Sequence, residues 1–228
     1  ECVAAKNGRG VTGIAFRAQG YFFPTLSVEE GSRLNNAITS AGITFHEGDV
    51  LNYSIGFGGA GPIIIDPTVA ALIAVLSDVG ITSCMSAGND SIPIVAAPFE
   101  TGAMVVGACW PGMNLGIDPC TNSFWRYCRL GFSNFSDPED ADGLAQVHLC
   151  AWGTAIATTG YGDLFTGANG TDPANPETNQ LRKYTSVFNG TSGAAPMITG
   201  LAAVLQGWAR QAYGAPISPL AMALRTRA

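Results

Sequence analysis

Charged residues are scarce in this sequence: they make up 12% of its 228 residues, with 11 Lys and Arg against 17 Asp and Glu. The formal net charge is −6 and no run of Lys or Arg is present, which argues against a nucleic-acid partner. No apolar run reaches the roughly 18 residues of a membrane-spanning helix, so we expect no membrane partner either. Histidine is nearly absent, with only His46 and His148 in the whole sequence.

Cysteine is present but lacks the spacing of a metal site. The six cysteines are Cys2, Cys84, Cys109, Cys120, Cys128 and Cys150. No pair has Cys-x-x-Cys spacing, and we expect no metal ligands among them. Their even number favours an oxidising, extracellular location. Cys120 and Cys128 flank a short loop and are the expected disulfide pair, whereas Cys84 and Cys109 lie in apolar strand patterns as expected buried thiols.

Apolar segments of strand length alternate with amphipathic helical segments along the chain. Strands are predicted at 18–26, 49–56, 104–109, 147–152 and 184–188, with another running from Ile81 into a turn at Gly88. Helices are predicted at 27–41, where Ser27 and Glu30 form a capping box, at 67–78, and beyond residue 191. This alternation predicts an α/β fold, a three-layer sandwich with a mainly parallel sheet and helices on both faces.

The turn before the last long helix carries a serine, Ser192. Apolar residues follow it at helical spacing, with Pro196 expected in the first turn of the helix. A serine at such a corner has an exposed hydroxyl near the positive end of the helix, which suits a nucleophile whose reaction builds an oxyanion. The alternative is that Ser192 only caps the helix.

The wider string at this turn, Gly-Thr-Ser-Gly-Ala-Ala-Pro, resembles the nucleophile motif Gly-Thr-Ser-x-Ala-x-Pro of subtilisin-like serine proteases. Two other segments resemble that family in the same order along the chain. Asp-Val-Leu-Asn-Tyr-Ser-Ile-Gly at 49–56 is similar to Asp-Val-Ile-Asn-x-Ser-x-Gly, and Ser-Ala-Gly-Asn at 86–89 is similar to Ala-Ala-Gly-Asn.

The resemblance implies a serine-type endopeptidase that cleaves polypeptides through an acyl-enzyme on Ser192. The Asn89 amide would donate to the oxyanion, although Asn89 alone also reads as an ordinary turn residue. The implied substrate-binding residues are Ser54, Ile55 and Gly56 at the end of the first of these two segments, and Ala87 and Gly88 in the second. No cofactor is implied.

A rival interpretation rests on Gly-Phe-Gly-Gly-Ala-Gly at 56–61, a G-x-G-x-x-G string after a predicted strand. Such a string can open the helix of a dinucleotide-binding domain. Here Pro62 and three isoleucines separate the last glycine from a helix that starts near Asp66. We therefore expect no dinucleotide site.

The resemblance leaves the serine without its catalytic partners. The family orders its triad Asp, His, Ser, yet no Asp-Ser/Thr-Gly or His-Gly-Thr motif precedes residue 11, and His46 and His148 match no family position. We expect residues 1–228 to be one subtilisin-like domain that is truncated at the N-terminus, inactive alone and completed by an N-terminal segment of the same protein. The alternative class is a non-catalytic protein that keeps the fold as a binding surface.

Two further sequence features each have two interpretations. The acidic residues Asp137, Glu139, Asp140 and Asp142 are typical of a solvated surface, but carboxylates also suit a structural calcium ion. Asn134 and Asn169 each begin an acceptor sequon for glycosylation, which matters only in a glycosylating pathway.

Overall fold

The computed structural model of the chain describes residues 3–8, 10–29, 31–111, 128–160 and 184–225. Cys2, Cys120 and Asn169 lie outside these ranges. The disulfide between Cys120 and Cys128 therefore stays a prediction.

The secondary-structure elements alternate along the chain as the sequence pattern predicts. In order they are β1 (Leu26–Ser27), β2 (Gly31–Ser32), α1 (Leu34–Thr44), β3 (Val50–Tyr53), β4 (Gly56–Phe57), β5 (Gly61–Pro62), a 3-10 helix (Ile63–Ile65), α2 (Pro67–Asp78), β6 (Thr82–Ser86), β7 (Met104–Cys109), β8 (Leu149–Trp152), β9 (Ile156–Thr159), β10 (Tyr184–Phe188), α3 (Thr191–Tyr213) and α4 (Pro219–Arg225).

The central sheet has four strands in the order β3-β6-β7-β8, and every pair in it is parallel. The prediction of a mainly parallel sheet is thus confirmed. In the part of the chain that the structure describes, β3 is an edge strand that pairs only with β6. All carboxyl ends of these strands meet at one edge of the sheet, where sites in such folds form.

Helices cover both faces of the sheet. Because side chains alternate along a strand, Leu51, Met85 and Val105 pack with α1 and α2 on one face, whereas Cys84 and Met104 pack with α3 and α4 on the other. Every residue of β6 and β7 is buried, as expected of strands covered on both sides. The three-layer arrangement predicted from the sequence is confirmed.

The prediction was wrong between residues 18 and 33. Strand pairing in this stretch is confined to Leu26–Ser27 and Gly31–Ser32, and α1 begins only at Leu34 without a side-chain cap. Pro24 weakens the predicted strand, and Gly31 has a φ of +68°, which no helix tolerates. Ser27 therefore pairs in β1 rather than opening a helix.

The glycine string at 56–61 forms a hairpin. Strands β4 and β5 pair antiparallel, and a 3-10 helix separates them from α2, whose first N–H groups are capped by the Asp66 carboxylate. No glycine of the string opens a helix, so the structure contains no phosphate-binding turn of the dinucleotide type here.

Candidate active site

Three chain segments meet at the carboxyl edge of the sheet. Ser54 follows β3, Gly88 follows β6, and Ser192 is the second residue of α3. The Ser54 hydroxyl donates to the Ser192 carbonyl oxygen at 2.8 Å, and the Gly88 N–H donates to Thr191 Oγ1 at 3.2 Å. The predicted residues from three distant parts of the sequence therefore lie together.

Ser192 is half-buried at the start of the 23-residue helix α3. As the second helical residue, its backbone N–H has no carbonyl partner within the helix and points out of the positive helix end. Its hydroxyl donates to the Ser54 carbonyl oxygen at 3.3 Å. Gly190 occupies the N-cap position of α3, and as a glycine it has no side chain that could cap the helix. Ser192 is thus not the helix cap.

The Asn89 side chain contacts the same turn. Its Oδ1 accepts hydrogen bonds from the Thr191 N–H at 2.9 Å and from the Thr191 hydroxyl at 3.0 Å. Because these bonds fix the carbonyl end of the amide, the amino end is left to donate elsewhere. Asn89 is exposed, so a ligand can reach it.

The surroundings of Gly190 show that two N–H donors, the Asn89 amide nitrogen and the Ser192 backbone nitrogen, lie close together. A Cβ built on Gly190 would be 3.5 Å from Asn89 Nδ2 and 3.7 Å from the Ser192 backbone nitrogen. Both groups therefore border the same small space in front of the turn. Two N–H donors close to one point can hold a developing oxyanion when both are directed at it.

Asn134 is a residue whose role the sequence analysis missed. It is fully buried, donates to the Ala87 carbonyl at 3.0 Å and accepts from the Asp90 N–H at 2.9 Å. It thus holds the turn that carries Asn89 from both sides. In the sequence, Asn134 stands out only as the first residue of a sequon, and no local pattern links it to the turn at Asn89.

The burial of Asn134 also bears on glycosylation at the sequon that it begins. Both ends of its amide are hydrogen-bonded and its side chain is fully buried. A glycan attached to Nδ2 is therefore incompatible with the folded chain.

The predicted substrate-binding residues lie at two adjacent strand ends. Ile55 and Gly56 are exposed, and the Ile55 carbonyl accepts from the Ser86 hydroxyl at 3.1 Å. Ala87 is fully buried, and its N–H and carbonyl oxygen are hydrogen-bonded to the Val106 carbonyl and to Asn134 Nδ2. Their role in binding a substrate stays a prediction, as does that of Ser54 and Gly88.

Neither histidine of the sequence lies beside Ser192. His46 comes before β3, where its backbone N–H donates to Asp49 Oδ2 at 2.9 Å. His148 comes before β8, and its Nδ1 accepts from the Val105 N–H at 3.0 Å. Both are at the amino ends of parallel strands, the opposite edge of the sheet from Ser192.

The acidic loop after Asn134 uses carboxylates to bind its own backbone. Asp137 Oδ1 accepts from the Glu139 N–H at 2.9 Å, and Asp140 accepts from the Ala145 N–H. Among the residues that the structure describes, no group of three or more His, Cys, Asp and Glu is placed to hold a metal ion.

An open cavity runs along the free edge of β3. Its volume is about 760 Å³, and it lies between α1, β3 and α3. The polar lining includes Asn52, Ser54, Thr199 and Gln206, and the apolar lining includes Phe23 and Ile38. The cavity therefore reaches from the sheet edge to the residue that contacts Ser192.

The statistical model of the subtilase family, peptidase S8, matches residues 1–222. The chain therefore belongs to the subtilase family. No curated protein sequence matches it. Among the described residues, no helix is long and apolar enough to cross a membrane.

Solved structures of subtilisin-like proteases share the fold. A cold-adapted subtilisin-like serine proteinase is 19% identical with a TM-score of 0.53, and the match covers 87% of this chain and 55% of that one. The prenylagaramide maturation protease PagA is 21% identical with a TM-score of 0.61, covering 94% and 64%. Proteases from Pseudoalteromonas arctica PAMC 21717 are 19% identical with a TM-score of 0.59, covering 98% and 60%. The chain thus spans 55% to 64% of the length of these three.

Proposed function

We propose that this chain is the nucleophile-bearing part of a serine endopeptidase that hydrolyses polypeptides through an acyl-enzyme on Ser192. The observation that carries the proposal is the meeting of the Ser192 hydroxyl, the Ser192 N–H and the Asn89 amide at one turn. Membership of the subtilase family supports it.

The chemistry follows from this geometry. Ser192 Oγ attacks the carbonyl carbon of a peptide bond and gives its proton to a base. The negative charge moves to the carbonyl oxygen, where Asn89 Nδ2 and the Ser192 N–H donate to it. The amine then leaves with a proton from the same base, and water repeats the sequence to release the acyl group.

The base comes from outside these 228 residues. Both histidines lie at the far edge of the sheet. We infer that a further segment of the same protein, N-terminal to this chain, docks along the free edge of β3 and fills the cavity there. The length of the solved relatives, of which this chain spans 55% to 64%, supports this arrangement.

An extracellular location is part of the same proposal. The family membership, the even number of cysteines and the scarcity of charge favour it.

Labelling with a fluorophosphonate probe tests the function directly. Such a probe reacts with a serine whose hydroxyl is activated by a base. We expect Ser192 to be labelled when the chain is expressed together with the upstream part of its own coding sequence, and Ser192→Ala to abolish the labelling. A longer protein that folds but never reacts would instead support the non-catalytic binding module.

A further inference from the structure

Proline lies inside helix α3, five residues after its start. The structure places Pro196 within Thr191–Tyr213 and not, as predicted, in the first turn. In a helix, residue 196 would donate its N–H to the carbonyl of residue 192, but proline has no N–H. The helix therefore cannot satisfy the carbonyl oxygen of Ser192 with its usual i to i−4 bond.

The Ser54 hydroxyl takes that place. Ser54 Oγ donates to the Ser192 carbonyl oxygen at 2.8 Å across 138 residues of sequence. In return, Ser192 Oγ is 3.3 Å from the Ser54 carbonyl oxygen and donates to it. Each serine thus uses its hydroxyl to hold the backbone of the other.

Asn52 fixes the direction of the Ser54 proton. Asn52 Nδ2 donates to Ser54 Oγ at 2.9 Å, so this oxygen accepts one bond and keeps its single proton for Ser192. The Thr199 hydroxyl, two turns further along α3, lies 3.0 Å from Asn52 Oδ1 and shares its proton between this oxygen and the Ala195 carbonyl, also at 3.0 Å. The pair Asn52 and Ser54 therefore ties β3 to α3 at two points.

We propose that Ser54 is a positioning residue that sets the orientation of the nucleophile Ser192, and that Pro196 makes this hydroxyl necessary. The peptide carbonyl of Ser192 belongs to the same residue as the nucleophilic Oγ and the N–H that faces the oxyanion. A shift of this peptide displaces both groups, and a misplacement of about 1 Å can cost about 100-fold in rate. Because this role rests on the proposed function, its test needs a readout that does not require activity.

Two substitutions form a double-mutant cycle: Ser54→Ala removes the hydroxyl, and Pro196→Ala restores a helical N–H for the Ser192 carbonyl. In the longer, active protein, Ser54→Ala should lower kcat about tenfold with little change in KM, because one hydrogen bond made at the reacting residue is lost. Ser54→Thr keeps the hydroxyl and should retain most of the activity. Pro196→Ala restores an N–H for the Ser192 carbonyl, so the Ser54→Ala change should matter several-fold less in that background.

Ser77→Ala is the matched control. The Ser77 hydroxyl also donates to a backbone carbonyl, that of Thr101 at 2.7 Å, but it lies at the end of α2, away from the site. It should leave kcat unchanged, and Pro196→Ala should not alter its effect. Equal effects of Ser54→Ala with and without Pro196→Ala, or a loss confined to KM, would overturn the positioning role.

Amide hydrogen exchange separates this role from the proposed function. In residues 1–228 alone, Ser54→Ala should increase exchange in the 189–199 segment several-fold, Ser77→Ala should not, and Pro196→Ala should suppress the increase. If exchange changes in this way but the longer protein has no activity, the positioning contact is supported and the peptidase function is rejected. If the longer protein is active but Ser54→Ala changes neither exchange nor kcat, only the positioning role is rejected.

Discussion

Asn89 Oδ1 accepts two hydrogen bonds from Thr191, one from its N–H at 2.9 Å and one from its hydroxyl at 3.0 Å. The two ends of the Asn89 amide therefore have different surroundings. The oxygen holds the first turn of α3, and the nitrogen faces the space beside the Ser192 N–H. A substitution that changes only one end separates the stability of the turn from its chemistry.

Asn89→Asp keeps the oxygen that binds Thr191 and replaces the nitrogen donor. We expect unfolding stability to be unchanged or raised by about 0.3–1 kcal/mol, because a carboxylate is favourable at a helix N-terminus. In the longer peptidase that we propose, we expect kcat to fall about 10²–10³-fold, the loss measured for such a donor in subtilisin, a member of this same family. Thermal unfolding and kcat measured on the same preparations check this, with Asn89→Ala losing both properties. A variant Asn89→Asp within a few-fold of the parent kcat would remove Asn89 from the oxyanion site.

Asn134→Ala should be strongly destabilising. It leaves the Ala87 carbonyl and the N–H groups of Asp90 and Ile92 without their buried partner. We expect a loss of about 2–4 kcal/mol in the free energy of unfolding by urea. The control Asn36→Ala, on the exposed face of α1, should change stability by less than about 0.5 kcal/mol. Equal effects of the two substitutions would show that Asn134 does not hold the turn.

Gly88→Ala should disrupt the same turn from the other side. Gly88 has a φ of +104°, and a Cβ there would lie 2.4 Å from Asn134 Nδ2. Strain and clash together should lower stability by at least about 2 kcal/mol and abolish the activity of the longer protein. Gly58→Ala is the control, since a Cβ at Gly58 meets nothing within 4 Å. Near-normal stability of Gly88→Ala would mean that the turn is looser than the structure shows.

The stability of the chain should fall at alkaline pH. Burial, followed by repulsion from the neighbouring Cys150 thiolate, raises the pKa of Cys109 from about 9 to about 11. Between these values the unfolded thiol loses its proton while the folded one keeps it, so the unfolded state binds fewer protons and stability falls as pH rises. At pH 10 the loss is about 1 kcal/mol. Burial raises the pKa of Tyr53 as well, which adds to the same trend at higher pH.

Urea unfolding at a series of pH values checks this slope. Cys109→Ala should flatten the decline between pH 9 and 11 but not remove the contribution of Tyr53. An unchanged slope in this variant would show that Cys109 is not the group that titrates.

The elements whose bounds were predicted most accurately are those with a local sequence signal at each end. Helix α2 was predicted at 67–78 and found at Pro67–Asp78, because Asp66 and Pro67 open it and Gly80, with a φ of +85°, ends it. Strands β7 and β10 also have the predicted bounds, since β7 is a short apolar run and β10 is rich in aromatic and β-branched residues. The strand predicted at 18–26 is wrong because its aromatic residues have no neighbouring strand within the described part of the chain, and Phe22 is 88% exposed.

The site was predictable only in part, since its contacts join distant residues. The motifs gave Ser192 and Asn89 as members of one site, and the structure places them at one turn. No local pattern shows that Ser54 contacts Ser192 across 138 residues, or that Asn134 contacts Ala87 across 47. Those roles depend on how the strand ends meet, which the sequence pattern does not specify.

We propose that the proton acceptor for Ser192 lies outside this chain. The decisive measurement is peptide hydrolysis by residues 1–228 alone, compared with hydrolysis by the longer protein. We expect negligible turnover by residues 1–228 and robust turnover by the longer protein, abolished by Ser192→Ala and unaffected by His46→Ala. Robust turnover by residues 1–228 alone that His46→Ala abolishes would contradict the account.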